Sequence, residues 1–286
     1  MQSDNPNDYF LNSELIVHAG GLSERWFPVT QGKIPKPATE IGKKPRPIID
    51  WIILPYAVAG LKKIFISLWH NSDIIVKHCD EMAKNTDIEF IYLKEPGDKR
   101  LGRAGVIKYY LEKGVLSEDK PKISVYTSDI MKLNIKEFVK FQFLGLEKGF
   151  LGTVIASPSE VSQFGRFRCN PSTKAIINFE EKPLFQLPKD EYISTGTFYL
   201  DSQLNKYFHE ISEEDLPVDL EKSKILPKFC KTIRCFEHVI PLKSWFWLKT
   251  QQDYNKVKDM DFEKFFEITN VERYLGPYSP QGNQTL

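Results

Sequence analysis

The 286-residue chain is poor in cysteine, has no excess of charge of either sign, and lacks any long apolar run. Its four cysteines (Cys79, Cys169, Cys230 and Cys235) are scattered and form no C-x-x-C. That spacing favours reduced, buried thiols over a disulfide frame or a zinc site. The formal net charge is +1, from 39 basic and 38 acidic residues. Such a balance argues against a partner like duplex nucleic acid held by bulk electrostatics. It leaves room for a small anionic ligand, which needs only a few placed cations. No stretch approaches the ~20 apolar residues that span a bilayer. The polar start Met1–Asp8 has neither the cationic nor the apolar part of a signal peptide. Cytoplasmic residence without membrane contact is therefore expected. The five histidines (His18, His70, His78, His209, His238) show no metal-ligand spacing, and no histidine or cysteine stands out as a nucleophile. There is no internal repeat and no hexapeptide β-helix pattern.

What is present is an ordinary globular balance, 41% hydrophobic and 27% charged, long enough for a substantial core. Leu15 to Ala19 reads as a buried strand ending at Gly20-Gly21. A loop with Pro28, Pro35, Pro37, Pro45 and Pro47 follows, and loops of that length in compact domains usually serve function. Ile48 to Ala59 reads as a helix, bent by Pro55 and stopped by Gly60. Strands are expected at Ile64–Trp69, Ile88–Leu93 and Lys122–Thr127, with helices at Asp73–Lys84 and Gly102–Lys113 between them. This alternation predicts an α/β fold with a Rossmann-like, mainly parallel sheet flanked by helices. After residue 150 the pattern turns mixed. Strands are expected at Gly152–Ser157, Gly165–Cys169, Ala175–Phe179 and Tyr192–Leu200, and helices around Asp219–Cys230 and Thr250–Lys258. The organisation expected is a polar N-terminal arm (1–13), a first half (14–150), a second half (151–260) and a C-terminal tail (261–286).

Parallel sheets bind ligands beyond the carboxyl ends of their strands, where the Gly20-Gly21 loop and Asp129 fall. Adjacent glycines after a strand let backbone N–H groups approach phosphate oxygens closely. Arg25 and Lys36, one loop apart, add cations enough to bracket a polyphosphate. Each residue also has an ordinary alternative: a tight turn for the glycines, solvated charges for Arg25 and Lys36, a turn cap for Asp129. Asp259-Met260-Asp261 has a D-x-D spacing but follows a helix instead of a strand. Trp245, Phe246 and Trp247 are expected to pack in the core.

Taken in order, Ala19-Gly20-Gly21-Leu22-Ser23-Glu24-Arg25-Trp26-Phe27-Pro28-Val29-Thr30 and Pro35-Lys36-Pro37 resemble the signature of sugar-phosphate nucleotidyltransferases, A-G-G-x-G-T-R-x-x-P-x-T followed by P-K-P. The resemblance extends over roughly residues 14 to 258. Leu101-Gly102-Arg103-Ala104-Gly105 is similar to the L-G-T-A-G turn beside the nucleobase. Ser128-Asp129 stands where the family has G-D, Glu181-Lys182-Pro183 matches E-K-P, and Thr195-Gly196-Thr197-Phe198-Tyr199 resembles the strand lining the sugar pocket. The resemblance implies nucleotide binding by Ala19, Gly20, Gly21, Arg25 and Gly102, and catalysis by Arg25, Lys36 and Lys182. It implies sugar-phosphate binding by Glu181, Lys182, Thr195 and Gly196, and Mg²⁺ (or Mn²⁺) on Asp129. The implied reaction joins an NTP to a sugar-1-phosphate or similar phosphorylated small molecule and releases pyrophosphate. Relatives commonly assemble, which leaves a homo-oligomer open.

The departures are specific. Ser23 replaces the third glycine, Glu24 a threonine, Arg103 the L-G-T-A-G threonine and Ser128 the G-D glycine. Trp247, within Trp245-Phe246-Trp247-Leu248-Lys249-Thr250, stands in place of the family's second metal aspartate. That change resembles relatives that bind nucleotide sugars as regulatory subunits. Lys249 would alternatively supply positive charge in place of one ion. A glycosyltransferase on a related fold is the third reading.

Overall fold

The computed structural model describes residues 5–70, 72–97, 99–157, 164–180, 191–221, 230–237 and 243–280. The fold is α/β, with a Rossmann-like, mainly parallel sheet flanked by helices and a mixed later half; the described residues contain no β-helix. The chain forms two compact units that interleave in sequence. One contains residues 1–16, 95–125 and 134–241, the other residues 17–94, 126–133 and 242–286. The strands, in chain order, are β1 (Glu14–His18), β2 (Glu40–Ile41), β3 (Arg46–Pro47), β4 (Lys63–Leu68), β5 (Glu89–Lys94), β6 (Lys122–Tyr126) and β7 (Asp129–Met131). They continue with β8 (Gly152–Ser157), β9 (Arg166–Cys169), β10 (Ile176–Glu180), β11 (Glu191–Leu200), β12 (Ile233–Glu237) and β13 (Trp245–Trp247).

In the unit built on residues 17–94, β4 and β5 run parallel, from the pair Lys63↔Glu89 to the pair Leu68↔Lys94. The helix Asp73–Lys84 connects them and buries Ile75, Cys79 and Met82, an i, i+4, i+7 stripe of one apolar face. The helix Ile48–Val58 is buried almost all round, so it carries no polar face despite its length. It keeps Pro55 inside, as predicted, and Gly60 follows it with a positive φ of 101°. Trp51 of this helix stacks on Phe262 at 4.7 Å. Phe262, Phe265 and Phe266 of the short helix Phe262–Phe266 are all buried. The segment expected as a tail is thus packed into this unit. Arg46 donates to the carbonyls of Leu275 and Gly276 and pairs with Asp50 at 2.8 Å, which ties down the chain beyond that helix.

In the other unit, β11 is antiparallel to β6, β8 and β9, while β12 joins β8 in parallel and β10 joins β9 antiparallel. The register of β11 against β8 shifts between Ser194 and Phe198, and Gly196 there has φ +75°. A bulge of that kind re-aims side chains within a strand. The helix Pro6–Leu11 lies in the stretch expected as a polar arm. It buries Tyr9 and Phe10, and the Tyr9 hydroxyl donates to Asp201 at 2.9 Å. The helix Ile135–Leu146 had no counterpart in the sequence reading. Asn134 caps it by accepting from Glu137 N–H. Conversely, Asp219, Leu220 and Glu221 are not helical where a helix was expected to begin; residues 222–229 of that expectation lie outside the described residues.

Candidate functional site

The loop that follows β1 is anchored at its start, where Ala19 N–H donates to the Ser67 carbonyl of β4 at 2.9 Å. Ala19 and Gly20 are buried and Gly21 is exposed. A Cβ on Gly21 would meet nothing within 4 Å, so its lack of a side chain leaves the backbone open to an approaching group. Ser23, not a glycine, takes the left-handed conformation at φ +56°. This is the position at which the related signature has its third glycine, and the conformation explains that preference. Glu24–Trp26 then form a single 3₁₀ turn. Trp26 is buried, its indole N–H donating to Thr39 Oγ1 at 3.1 Å, which pins the turn and leaves Arg25 and Glu24 on its exposed side.

Lys36 opens a second 3₁₀ turn, Lys36–Ala38, directly after Pro35. Its Nζ donates to the carbonyl of Leu248 at 3.3 Å. Burial lowers the pKa of this ammonium to about 8; Asp129 opposes the fall, and Lys249 and Arg25 add to it. Arg25, Lys36, Asp129 and Lys249 therefore share one electrostatic neighbourhood within the unit that holds the glycine loop. The contact of Lys36 with Leu248, beside Lys249 and at the end of the β7–β13 ribbon that carries Asp129, is the geometric core of the candidate site.

Asp129 opens β7, which pairs antiparallel with β13 so that Trp247 lies directly opposite it. The carboxylate is buried. Its Oδ1 accepts from Trp245 Nε1 at 2.9 Å and its Oδ2 from Ser128 Oγ at 2.6 Å. Leu248 N–H donates to the Ser128 carbonyl at 2.6 Å, continuing the ribbon past β13. Beyond it, Thr250 and Asp253 form a reciprocal cap on the helix Gln251–Val257. Asp253 Oδ2 also accepts from Lys249 N–H at 3.1 Å, which fixes the backbone of Lys249 beside Leu248.

On their own these residues fall short of a resident divalent-metal site, which would need further oxygen donors such as water and a bound phosphate. Mg²⁺ asks for hard oxygen donors around an octahedron. Among the residues gathered here Asp129 is the one carboxylate; each of its oxygens accepts one hydrogen bond, and it stands opposite an indole ring with three cations near. Among the described residues, no group of three His, Cys, Asp or Glu converges on a common point.

The other residues predicted from the sequence fall in the second unit or outside the described chain. Gly102 starts the helix Gly102–Glu112 at φ +74°, and a Cβ there would stand 2.4 Å from the Val218 carbonyl. That same carbonyl accepts from Ala104 N–H at 3.0 Å, so Gly102 serves close packing of the chain around Val218. Arg103 is buried. It bonds Asp219 (Nε to Oδ1, 2.7 Å), pairs with Glu221 at 3.4 Å and donates to the Gly196 carbonyl at 2.6 Å. Ser194 Oγ donates to Glu221 and in turn accepts from Gly196 N–H at 3.0 Å. Thr195 Oγ1 donates to the Ile155 carbonyl at 2.9 Å. Gly196 is thus held from both sides of its peptide, with Arg103 as the hub. Glu181 and Lys182 lie outside the described residues.

With this geometry in place, comparison with known proteins is decisive on one point: residues 14–261 match the nucleotidyl transferase family. The chain belongs to that family. No curated protein matches it. Among solved structures, this nucleotidyl transferase family member is similar to a protein from Bacillus anthracis assigned as a glucose-1-phosphate thymidylyltransferase and bound to sucrose. The TM-score is 0.70 at 19% identity, over 90% of this chain and 100% of the other. It is also similar to HddC from Yersinia pseudotuberculosis, with a TM-score of 0.65 at 20% identity over 88% and 99% of the two chains. The same protein complexed with GMP-PN gives a TM-score of 0.65 at 21% identity, over 88% and 99% of the two chains. At these identities the likeness is one of fold.

Two features of this nucleotidyl transferase family member were not legible beforehand. Trp245 as a partner of Asp129 follows from the β7–β13 register, which joins residues more than a hundred positions apart. The Leu248 carbonyl as acceptor for Lys36 is a main-chain group, for which no residue type gives a signal. No helix among the described residues is long and apolar enough to cross a membrane.

Proposed function

We propose that the protein transfers a nucleotidyl group from an NTP to a sugar-1-phosphate or a similar phosphorylated small molecule, releasing pyrophosphate. The supporting observation is that Lys36 reaches the Leu248 carbonyl at the end of the β7–β13 ribbon that carries Asp129, in the unit carrying the Gly20-Gly21 loop. In this reading an acceptor phosphate oxygen attacks the α-phosphorus, a new P–O bond forms, and the bond from that phosphorus to the α–β bridging oxygen breaks. Pyrophosphate leaves with the electron pair. The attacking phosphate is already ionised near neutrality, its second pKa being about 6, so no side chain need remove a proton. What the protein must do is cancel charge between two polyanions. Lys36 donates from a desolvated position, where an ammonium contributes more than it does in water. Arg25 offers a planar fork to phosphate oxygens. Lys182, Glu181, Thr195, Gly196 and Gly102 are proposed on resemblance to contact the acceptor and the nucleobase.

The test is pyrophosphate release from each NTP against a panel of sugar-1-phosphates, with EDTA, Mg²⁺ and Mn²⁺ as separate arms. Turnover with one pair and its loss in Lys36→Met support the reading. Silence across the panel in all arms counts against it.

One observation favours a second reading, a non-catalytic nucleotide-sugar-binding subunit: both oxygens of Asp129 accept hydrogen bonds from the protein itself. Calorimetry with nucleotide sugars separates the two, since a sensor binds them without any turnover.

A further inference from the structure

We propose that Lys249 joins Arg25 and Lys36 to hold the polyphosphate of a nucleotide directly, so that nucleotide binding needs no divalent ion. This rests on the nucleotide-binding reading above and adds to it a residue and a charge mechanism.

The geometry begins with Lys36, whose Nζ contacts the carbonyl of Leu248 at 3.3 Å, the residue immediately before Lys249. An ammonium has three donors, so this bond orients the group without exhausting it. The backbone of Lys249 is fixed independently, by its N–H bond to Asp253 Oδ2 at 3.1 Å. The same carboxylate oxygen accepts from Thr250 N–H and Thr250 Oγ1, each at 2.9 Å. Two lysines are thereby anchored at adjacent points of one short segment. Arg25 is presented by the turn that buried Trp26 pins.

Charge decides what such a cluster can take. Arg25, Lys36 and Lys249 bring three positive charges near Asp129, with Asp253 held on the backbone of Lys249 and Glu24 on the exposed side of the Arg25 turn. The Lys36 ammonium is disfavoured by Lys249 and Arg25 and favoured by Asp129. A cation arriving at Asp129 would be repelled by these cations, and each carboxylate oxygen already accepts one hydrogen bond, from Trp245 and from Ser128. A polyanion meets the opposite situation. Trp247 opposite Asp129 supplies no oxygen ligand, and Lys256, paired with Asp253 at 3.3 Å, lies 5.8 Å from its ring centroid.

The experiment is equilibrium binding of inorganic tripolyphosphate and of the four common NTPs to the full chain, in EDTA and in Mg²⁺. Affinity for at least one NTP and for tripolyphosphate is expected to differ less than about threefold between the two conditions. Removing one charge-assisted contact, as in Lys249→Met, is expected to weaken binding in EDTA about tenfold or more. Lys249→Arg, which keeps the charge, should restore most of it. Thermal melting of each variant separates a lost contact from a lost fold. Binding that appears only with Mg²⁺ overturns the inference while leaving the nucleotide reading in place, and so does a folded Lys249→Met protein with unchanged affinity. Absence of binding in both conditions overturns the two together.

Discussion

The indole N–H of Trp245 donates to Asp129 Oδ1 at 2.9 Å, and the two residues stand 116 positions apart in the chain. Trp245 is fully buried and Asp129 nearly so. Trp245→Phe keeps an aromatic ring in the core but removes the donor to a buried carboxylate. A hydrogen bond to a charged group contributes roughly 1.5–3 kcal/mol, so a loss of stability of that order is expected in urea unfolding. A change below about 0.5 kcal/mol, within the range of ordinary surface substitutions, would show that the bond is dispensable.

Lys36 gives a prediction with a defined sign. Its ordinary pKa of 10.5 falls to about 8 in the folded protein. Between those values the unfolded chain binds more protons than the native one, so stability rises with pH across that window. Below it the charged lysine costs the fold its full penalty. Lys36→Met should therefore be more stable than the parent at pH 7, by roughly 1–3 kcal/mol, and should lose the rise above pH 8. Nucleotide affinity of the parent should be flat below pH 8 and decline above it as the ammonium deprotonates. Denaturant titrations of both proteins at pH 7 and pH 9.5 check the first half. A mutant that is no more stable at pH 7 and keeps the parent's slope would refute it.

Two glycines should separate folding from binding. Gly102→Ala places a Cβ 2.4 Å from the Val218 carbonyl at a φ of +74°, where backbone strain and collision act together. A cost of about 2 kcal/mol or more is expected in unfolding. Gly21→Ala meets open space within 4 Å and should leave the melting temperature alone. If phosphate approaches that backbone, the methyl group will weaken nucleotide binding all the same. Equal melting together with equal affinity would remove Gly21 from the site.

Arg103 should behave as a structural hub. Its guanidinium links Asp219, Glu221 and the Gly196 carbonyl while almost fully buried. Arg103→Ala is expected to cost about 3–5 kcal/mol, the range for breaking a buried ion pair from one side. Arg103→Lys cannot reproduce the fork and should recover only part of that. Wild-type stability in the alanine variant would contradict the role.

Much of the fold was readable because local pattern and tertiary environment agree. The helix Asp73–Lys84 and the strand Gly152–Ser157 match their expected bounds, the first through an apolar stripe and the second through a short buried run. The three-residue strands β7 and β13 were not readable, since so few residues carry no period and their pairing is long-range. The helix Ile135–Leu146 does carry a stripe at Ile135, Phe138, Val139 and Gln142, but the polar Gln142 in its buried face blurs it. In the site, the glycine loop, Arg25, Lys36 and Asp129 stand out as residue types in a known order. Arg103 does not, because its partners at 196, 219 and 221 are near it only once the chain has folded.

The ribbon of β7 and β13 also sets a timetable. During synthesis the glycine loop, both early cations and Asp129 emerge long before Trp245 and Lys249 exist. Non-local pairings of this span form slowly. A chain caught partway through translation thus carries every recognisable emblem of the family and still lacks Lys249 and the indole that steadies the Asp129 carboxylate.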